Sequence, residues 1–368
     1  MEHVTVYRQP DRYAGWPANY GLWAWGNELV AGFTVGAPLA DGPFHARDKN
    51  QPFVTMQARS LDGGHSWSPE PMHAPSPGGR ALSSDEHMIA PLRLATALER
   101  GEAPQPTPLS TPLTFGPGLA ILCARTGLGT GTRAWFYSSA DRCRSWAGPH
   151  WLPRLGQAGI EARTDVVAGE GHTCTLMLTA ARADGGEGKG VFCTRTVDGG
   201  RTWALRSWVL QTESGYAIMP STVRLADGSW LTAVRRAEGS GDQRRNWIAL
   251  YRSNDDALSW SAMEDPVPDT GVGGNPPALT LLQDGRLCLT YGYRNPPYGI
   301  RARLSADRGV SWSPEIILRK DGGSHDLGYP RTIQRPDGTL VTVYYFNDRP
   351  GGAAYIAATL WRAEEYEV

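Results

Sequence analysis

Cysteine is scarce, and its number is odd. Cys123, Cys143, Cys174, Cys193 and Cys288 are widely spaced, and no pair has Cys-x-x-Cys spacing. Such a set reads as reduced core thiols of a cytoplasmic protein rather than a disulfide framework. His-Glu-x-x-His and calcium-loop patterns are also missing, so neither a metal nor a cofactor is expected. No apolar run approaches the ~20 residues that a membrane-spanning helix needs. The opening residues Met1–Arg8 lack the basic head and apolar stretch of a signal peptide. Charge of either sign is not in surplus: 36 Lys and Arg face 37 Asp and Glu, for a formal net charge of −1. A nucleic-acid surface needs a basic excess to displace counterions, and that class is excluded. Heptads and long helical stripes are absent as well, so strands are expected to dominate.

Turn-formers and aromatics are abundant, with Gly 44, Pro 28 and Trp 14 among 368 residues. That length allows two average domains or one large closed all-β domain, and the composition favours one domain over residues 1–368. A short motif returns five times. It runs Ser60, Asp62, Gly64, Ser66, Trp67, and recurs around Asp141, Asp198, Asp255 and Asp307, each copy ending in Trp. The aspartates are 79, 57, 57 and 52 residues apart. The pattern suits a tight turn between two strands. Its carboxylate accepts backbone N–H groups, glycine supplies positive φ, the hydroxyls tie the ends, and tryptophan packs on the neighbouring sheet.

A second periodic element is a turn leading into a strand, at Asp227-Gly228, Asp284-Gly285 and Asp337-Gly338. Weaker equivalents start at Gly26, Gly118 and Gly171, which makes six second strands and six blades. The last blade has a strand near Ala354–Trp361 but no aspartate turn after it, so the strand His3–Arg8 is expected to complete it and close the ring. The long first step is explained by a Pro-rich loop near 100–117 in blade two.

These turns resemble the Asp boxes, or BNR repeats, of the sialidase (neuraminidase) superfamily, over essentially the whole chain. The resemblance implies a six-bladed β-propeller with a carbohydrate pocket at its axis. Family sialidases grip the substrate carboxylate with three arginines, attack through a tyrosine paired with a glutamate, and use an aspartate as acid/base. Carried over, Tyr329 matches the nucleophile by its distance from Asp337-Gly338. Arg235 matches an arginine that follows the blade-four turn, Arg294 and Arg301 are candidates for the blade-five arginine, and Asp48 occupies the stretch of the acid/base. Two departures mark a divergent member. Gly15-Trp16-Pro17 stands where the family has Arg-Ile-Pro, and Met219-Pro220 stands where the activating glutamate belongs. Glu161, Glu213 or Asp326 would have to substitute.

Inner strands of a propeller line the axis, so site residues should cluster ahead of the second strands. Ser324–Arg331 is the richest such segment: Asp326 would orient or deprotonate Tyr329, and Arg331 would contact substrate. The run Asp85, Glu86, His87, Met88 is expected to open the inner strand of blade two, with Asp85 as a contact and His87 as a base or sugar ligand. Glu161 and Arg163 hold the same place in blade three and share one face of a strand. Trp16, Tyr216 and Tyr298 offer stacking surfaces for sugar rings. The expected function is hydrolysis of a terminal, acidic sugar. Its rivals are lyase elimination on the same scaffold, a non-catalytic glycan-binding propeller, and a scaffold for protein partners. The oligomeric state is not legible.

Overall fold

Residues 1–39, 44–74, 82–83, 85–162, 165–186 and 188–367 are described by the structure, a computed structural model, with the side chain of Asp85 left out. The chain forms a six-bladed β-propeller, each blade an antiparallel sheet with its first strand nearest the axis. Blade three shows the plan with Asp165–Ala168, Cys174–Ala180, Gly190–Thr196 and Ala204–Gln211 in sequential order. Blade four is Tyr216–Arg224, Trp230–Glu238, Arg245–Ser253 and Ser261–Ala262; blade five is Ala278–Leu281, Leu287–Tyr293, Gly299–Ser305 and Ile316–Arg319. Blade six takes three strands from the end of the chain, Gly328–Gln334, Leu340–Phe346 and Tyr355–Trp361, and its fourth, Glu2–Tyr7, from the beginning. The expected closure therefore holds.

Buried side chains gather between the blades. One apolar cluster joins Leu231, Ala233, Ile248 and Leu250 of blade four to Leu279, Leu287, Leu289 and Tyr291 of blade five. Another joins Cys288, Ala302 and Leu304 of blade five to Leu340, Tyr344 and Trp361 of blade six. A sheet covered on both faces cannot show the alternation of a half-exposed strand. Cys174–Ala180 and Leu340–Phe346 are accordingly buried at every position. The five cysteines are buried free thiols within these layers.

The repeated turn works as its composition suggests. Asp62 Oδ1 accepts the Ser66 N–H at 2.9 Å, Oδ2 accepts the Ser66 hydroxyl at 2.6 Å, and Ser60 Oγ accepts the Gly64 N–H at 2.8 Å. Two successive residues in each turn have positive φ, and at Arg142-Cys143 and Asp256-Ala257 neither is glycine. Trp67, Trp203 and Trp312 donate to the turn carbonyls of Gly64, Gly200 and Gly309. Where the glycine is replaced, Trp146 bonds to Gln57 and Trp260 to Ser207, both on the preceding blade.

Blades one and two depart from the plan. The inner strand of blade one is broken into Tyr13–Gly15 and Leu22–Trp25, both paired with Glu28–Gly36, around a single 3-10 turn at Pro17–Asn19. Val54–Ser60 and Ser68–Pro71 complete that blade. Blade two shows three strands among the described residues, Ala120–Arg125, Ala134–Ser139 and Ala147–Trp151. The strand expected at Asp85–Met88 is a correction: Asp85–His87 form a 3-10 turn, followed by another at Ala90–Leu92 and a helix at Leu94–Glu99. Pro91 cannot donate to a ladder, and the run after it, Leu-Ala-Thr-Ala-Leu-Glu, has strong helix formers. The Pro-rich segment is a loop without regular strands, as expected. It straps the outer edge of blade two through Thr107 and reaches blade three, where Leu113 N bonds Gly199 O.

Candidate active site

Inner strands begin, and second strands end, at one rim of the ring. The repeated turns follow the third strands and so lie at the other rim. At the first rim the inner strands carry a shared irregularity. Trp16, Ala162, Met219 and Tyr329 of blades one, three, four and six all have left-handed backbone, φ between 44° and 61°. A proline follows three of them, Pro17, Pro220 and Pro330, and the pairing slips at Ile218/Ser221 and Gly328/Arg331. Left-handed geometry costs a non-glycine residue about 1–3 kcal/mol and persists where surroundings enforce it. At Tyr329 the enforcement is visible. The fully buried Asn275 amide accepts the Tyr329 N–H at 2.9 Å and the Gly292 N–H at 3.2 Å, and donates to Leu327 O at 3.0 Å.

Arg125, Arg235 and Arg294 stand at or near the ends of the second strands of blades two, four and five. Arg235 Nη1 donates to the Tyr329 hydroxyl at 2.9 Å. Arg294 is fully buried, and each of its nitrogens is used: Nε on Leu327 O, Nη1 on Gly274 O, and Nη2 on the Tyr345 hydroxyl at 2.6 Å. Tyr345 passes the polarisation on, donating to Asp326 Oδ1 at 2.8 Å, where His45 Nδ1 also bonds at 2.7 Å. The Ala46 N–H reaches the other carboxylate oxygen at 3.3 Å.

Burial pushes the Asp326 carboxyl up, but His45, Arg294 and Tyr345 outweigh it and hold the pKa at about 2. Burial likewise drives His45 down, to about 4, against the pull of Asp326. Near neutral pH the pair is therefore an ionised Asp326 and a neutral His45 whose Nδ1–H donates to it, which makes Nε2 the basic nitrogen. The His45 ring lies among Phe44, Trp16, His87, Tyr329 and Tyr345, with centroids 4.4–6.5 Å away, and its own φ is 64°.

His87 stacks on Trp16 at 4.5 Å and 12°. Its Nδ1 faces the Arg47 guanidinium, which can only donate, so Nδ1 is the acceptor and the proton sits on Nε2. Burial holds this imidazole neutral. Glu86 beside it pairs with the buried Arg125 at 2.7 Å.

The structure thus brings together Tyr329, Asp326, Arg235, Arg294, His87 and Trp16. It does not bring Asp48 or Arg301 to them. Asp48 makes its side-chain bonds within its own turn, to the N–H and Nδ2 of Asn50. Arg301 lies on the third strand of blade five against the Tyr293 ring and Glu315. Glu161 is fully buried and accepts the Gly188 N–H at 2.9 Å. Arg331 pairs with Asp165 at 3.3 Å in the wall of an axial cavity of about 300 Å3 to which all six blades contribute. Arg163 and the side chain of Asp85 lie outside the described residues. Residue-by-residue reading missed His45, Arg47, Arg125, Tyr345 and Asn275. A signal existed for Arg125, which ends its strand much as Arg235 does. His45 and Arg47 sat in the stretch from which Asp48 was drawn.

Radial sheets with a polar, strained cluster at one end of the axis define a propeller with a central pocket. The family described as a BNR repeat-like domain matches residues 119–342, and the chain belongs to it. No curated protein matches the chain. Among solved structures, a protein of unknown function from Dyadobacter fermentans is 23% identical, with 98% of this chain and 97% of that one covered at a TM-score of 0.71. The α-L-arabinofuranosidase Arb93A from Fusarium graminearum, in complex with an iminosugar inhibitor, is 13% identical over 99% and 98% at 0.62. The Hadza microbial sialidase Hz136 is 13% identical over 96% of this chain and 66% of its own at 0.62. At such identities the likeness establishes the fold.

Proposed function

We propose that the protein is a glycoside hydrolase acting on a terminal acidic sugar, with Tyr329 as its nucleophile and His45–Asp326 as the base that takes the phenolic proton. The supporting observation is the Arg235 donor 2.9 Å from the Tyr329 hydroxyl, beside an imidazole whose Nδ1 is anchored by a buried carboxylate. A cation donating to the phenolic oxygen stabilises the phenolate. A neutral nucleophile also suits a substrate with its own carboxylate, because the two do not repel. Tyr329 attacks the anomeric carbon, its proton passes to His45 Nε2, the glycosidic bond breaks with the aglycone protonated from solvent, and water then releases the sugar. Asp326, held ionised, orients His45 and donates nothing. The reading also draws on two of the similar structures being glycosidases.

One observation favours a second reading. Hydrolases of this kind commonly pair two carboxyl groups, one kept protonated. Here Asp326 is locked as an anion, and the neighbouring Glu86 is engaged by Arg125. A neutral base next to a phenol suits proton abstraction beside a uronate carboxylate, followed by elimination. Aryl glycosides of sialic, uronic and neutral sugars, and a uronate-containing oligosaccharide, separate the two. Hydrolysis releases aglycone and reducing sugar without an unsaturated product, whereas elimination yields a product absorbing in the ultraviolet. Tyr329→Phe is expected to lower kcat by about 10²-fold or more. Undiminished turnover by that variant rejects the assigned nucleophile, and sugar binding without turnover on any substrate turns the assignment to a glycan-binding propeller.

A further inference from the structure

One corner of the site holds an excess of buried donors. Among the described residues, Tyr13 Oη, Trp16 Nε1, Arg47 Nε, and both Nε and Nη1 of Arg125 are buried and make no hydrogen bond. The four residues are 5% exposed or less. They are also neighbours. The Tyr13 and Trp16 rings are 5.3 Å apart, Arg47 Cζ lies 5.6 Å from the Trp16 ring, and Trp16 stacks on His87, whose chain neighbour Glu86 holds Arg125 Nη2 at 2.7 Å. Folded proteins leave few buried polar atoms unpaired, and fewer still on charged groups. Arg47 and Arg125 bring two guanidinium groups to this corner, and after Glu86 has taken Arg125 Nη2 the unused N–H and O–H groups remain.

The arginines on the opposite side of the axis differ. Arg294 spends every nitrogen on protein acceptors. Arg235 donates to Tyr329 and to Gly273 O. These two hold the catalytic cluster in shape.

We propose that Tyr13, Trp16, Arg47 and Arg125 form an oxyanion subsite on blades one and two that takes the carboxylate or sulfate group of an acidic sugar. The proposal rests on the reading of the site as carbohydrate-binding and specifies which side of the axis the anionic group occupies. A planar oxyanion accepts several donors at once, which neutral hydroxyl groups do less well.

Calorimetric titration with D-glucuronate, its methyl ester, D-glucose and D-glucose 6-sulfate tests this without turnover. Wild type is expected to bind an anionic sugar at least 10-fold more tightly than the ester or glucose, and the tighter of glucuronate and the 6-sulfate identifies the anion. Arg125→Gln is expected to weaken that ligand by about 10–100-fold and leave glucose unchanged. Because Arg125 also holds Glu86, Trp16→Phe provides a milder arm that removes one donor and keeps an aromatic ring, with about 3–10-fold expected. Equal binding of all four sugars by wild type, or full anion affinity in a folded Arg125→Gln and in Trp16→Phe, overturns the subsite. Tyr329→Phe should retain the anion preference. Loss of the hydrolase reading would therefore leave these results standing, and the two failures are distinguishable.

Discussion

His45 owes its neutral state to position. Burial costs its charged form more than the Asp326 carboxylate returns, so the ring protonates only near pH 4. A base must be unprotonated to act. The rate kcat/KM is accordingly expected to hold constant downward from neutrality and to fall only as the pH drops through about 4. A limb near the ordinary histidine value of 6.5 would show that His45 is not the group. Stability changes in the same direction. An unfolded chain takes up this proton near 6.5 and the folded chain near 4, so folding loses ground across that window as the pH falls. Asp326→Asn removes the anion that fixes the tautomer and offers an amide N–H that favours the other one, and a fall in kcat of about 10²–10⁴-fold is expected, with KM little changed. His87 was drawn from an expected strand that is a 3-10 turn, whereas Tyr329, Asp326 and Arg235 were legible because each precedes or follows a recognisable strand at a regular distance. His45 was not, since nothing local marks a loop histidine whose partner is 281 residues away. Asp48 was drawn from the same segment because it occupies the stretch of the acid/base in the resembled family, and its carboxylate bonds within the local turn.

At the scale of single elements, the repeated turns could be read from composition because every bond in them is local. The left-handed breaks in the inner strands could not. Trp16-Pro17, Met219-Pro220 and Tyr329-Pro330 look like ordinary strand residues with a stray proline, and the residue before proline normally prefers extended backbone. What imposes the exception at Tyr329 comes from the next blade. Asn275 fills the space above Gly328, where an added Cβ would sit 2.3 Å from its amide nitrogen, with φ at +107°. Gly328→Ala is therefore expected to cost about 2–5 kcal/mol, read as a lower urea midpoint, and to reduce activity by displacing Tyr329. An unchanged midpoint would mean that Asn275 does not clamp this strand. The 3-10 turn at Asp85–His87 was also hidden, because Asp85–Met88 satisfies strand patterning until the helix formers after Pro91 are weighed against it.

For the molecule as a whole, six sheets were countable from two motifs with a regular step, and the ring follows from giving each sheet two apolar faces. The irregular first step pointed correctly to an excursion in blade two, although its course along Thr107 to blade three rests on backbone bonds without side-chain signature. Closure by Glu2–Tyr7 is the contact on which the ring's integrity turns. That strand buries Val6 and Tyr7 and pairs with Tyr355–Trp361. At about 1.5–3 kcal/mol per buried side chain and about 1 kcal/mol per net hydrogen bond, its removal costs about 5–10 kcal/mol. That is as large as the whole stability of many domains. Deleting residues 2–7 is expected to give an aggregating chain with an open sheet edge, checked by thermal melting and light scattering; a soluble monomer with an unaltered melt would show that closure is dispensable.

Blade six joins the early strand Glu2–Tyr7 to three strands made more than 300 residues later, and this sets an order of assembly. On the ribosome, Glu2–Tyr7 is made long before its mate and waits unpaired until Tyr355–Trp361 has followed. Blades three to five can each form from contiguous sequence in the meantime. The last event is the joining of two segments more than 340 residues apart, a slow, entropically costly encounter during which an unpaired edge is open to other chains.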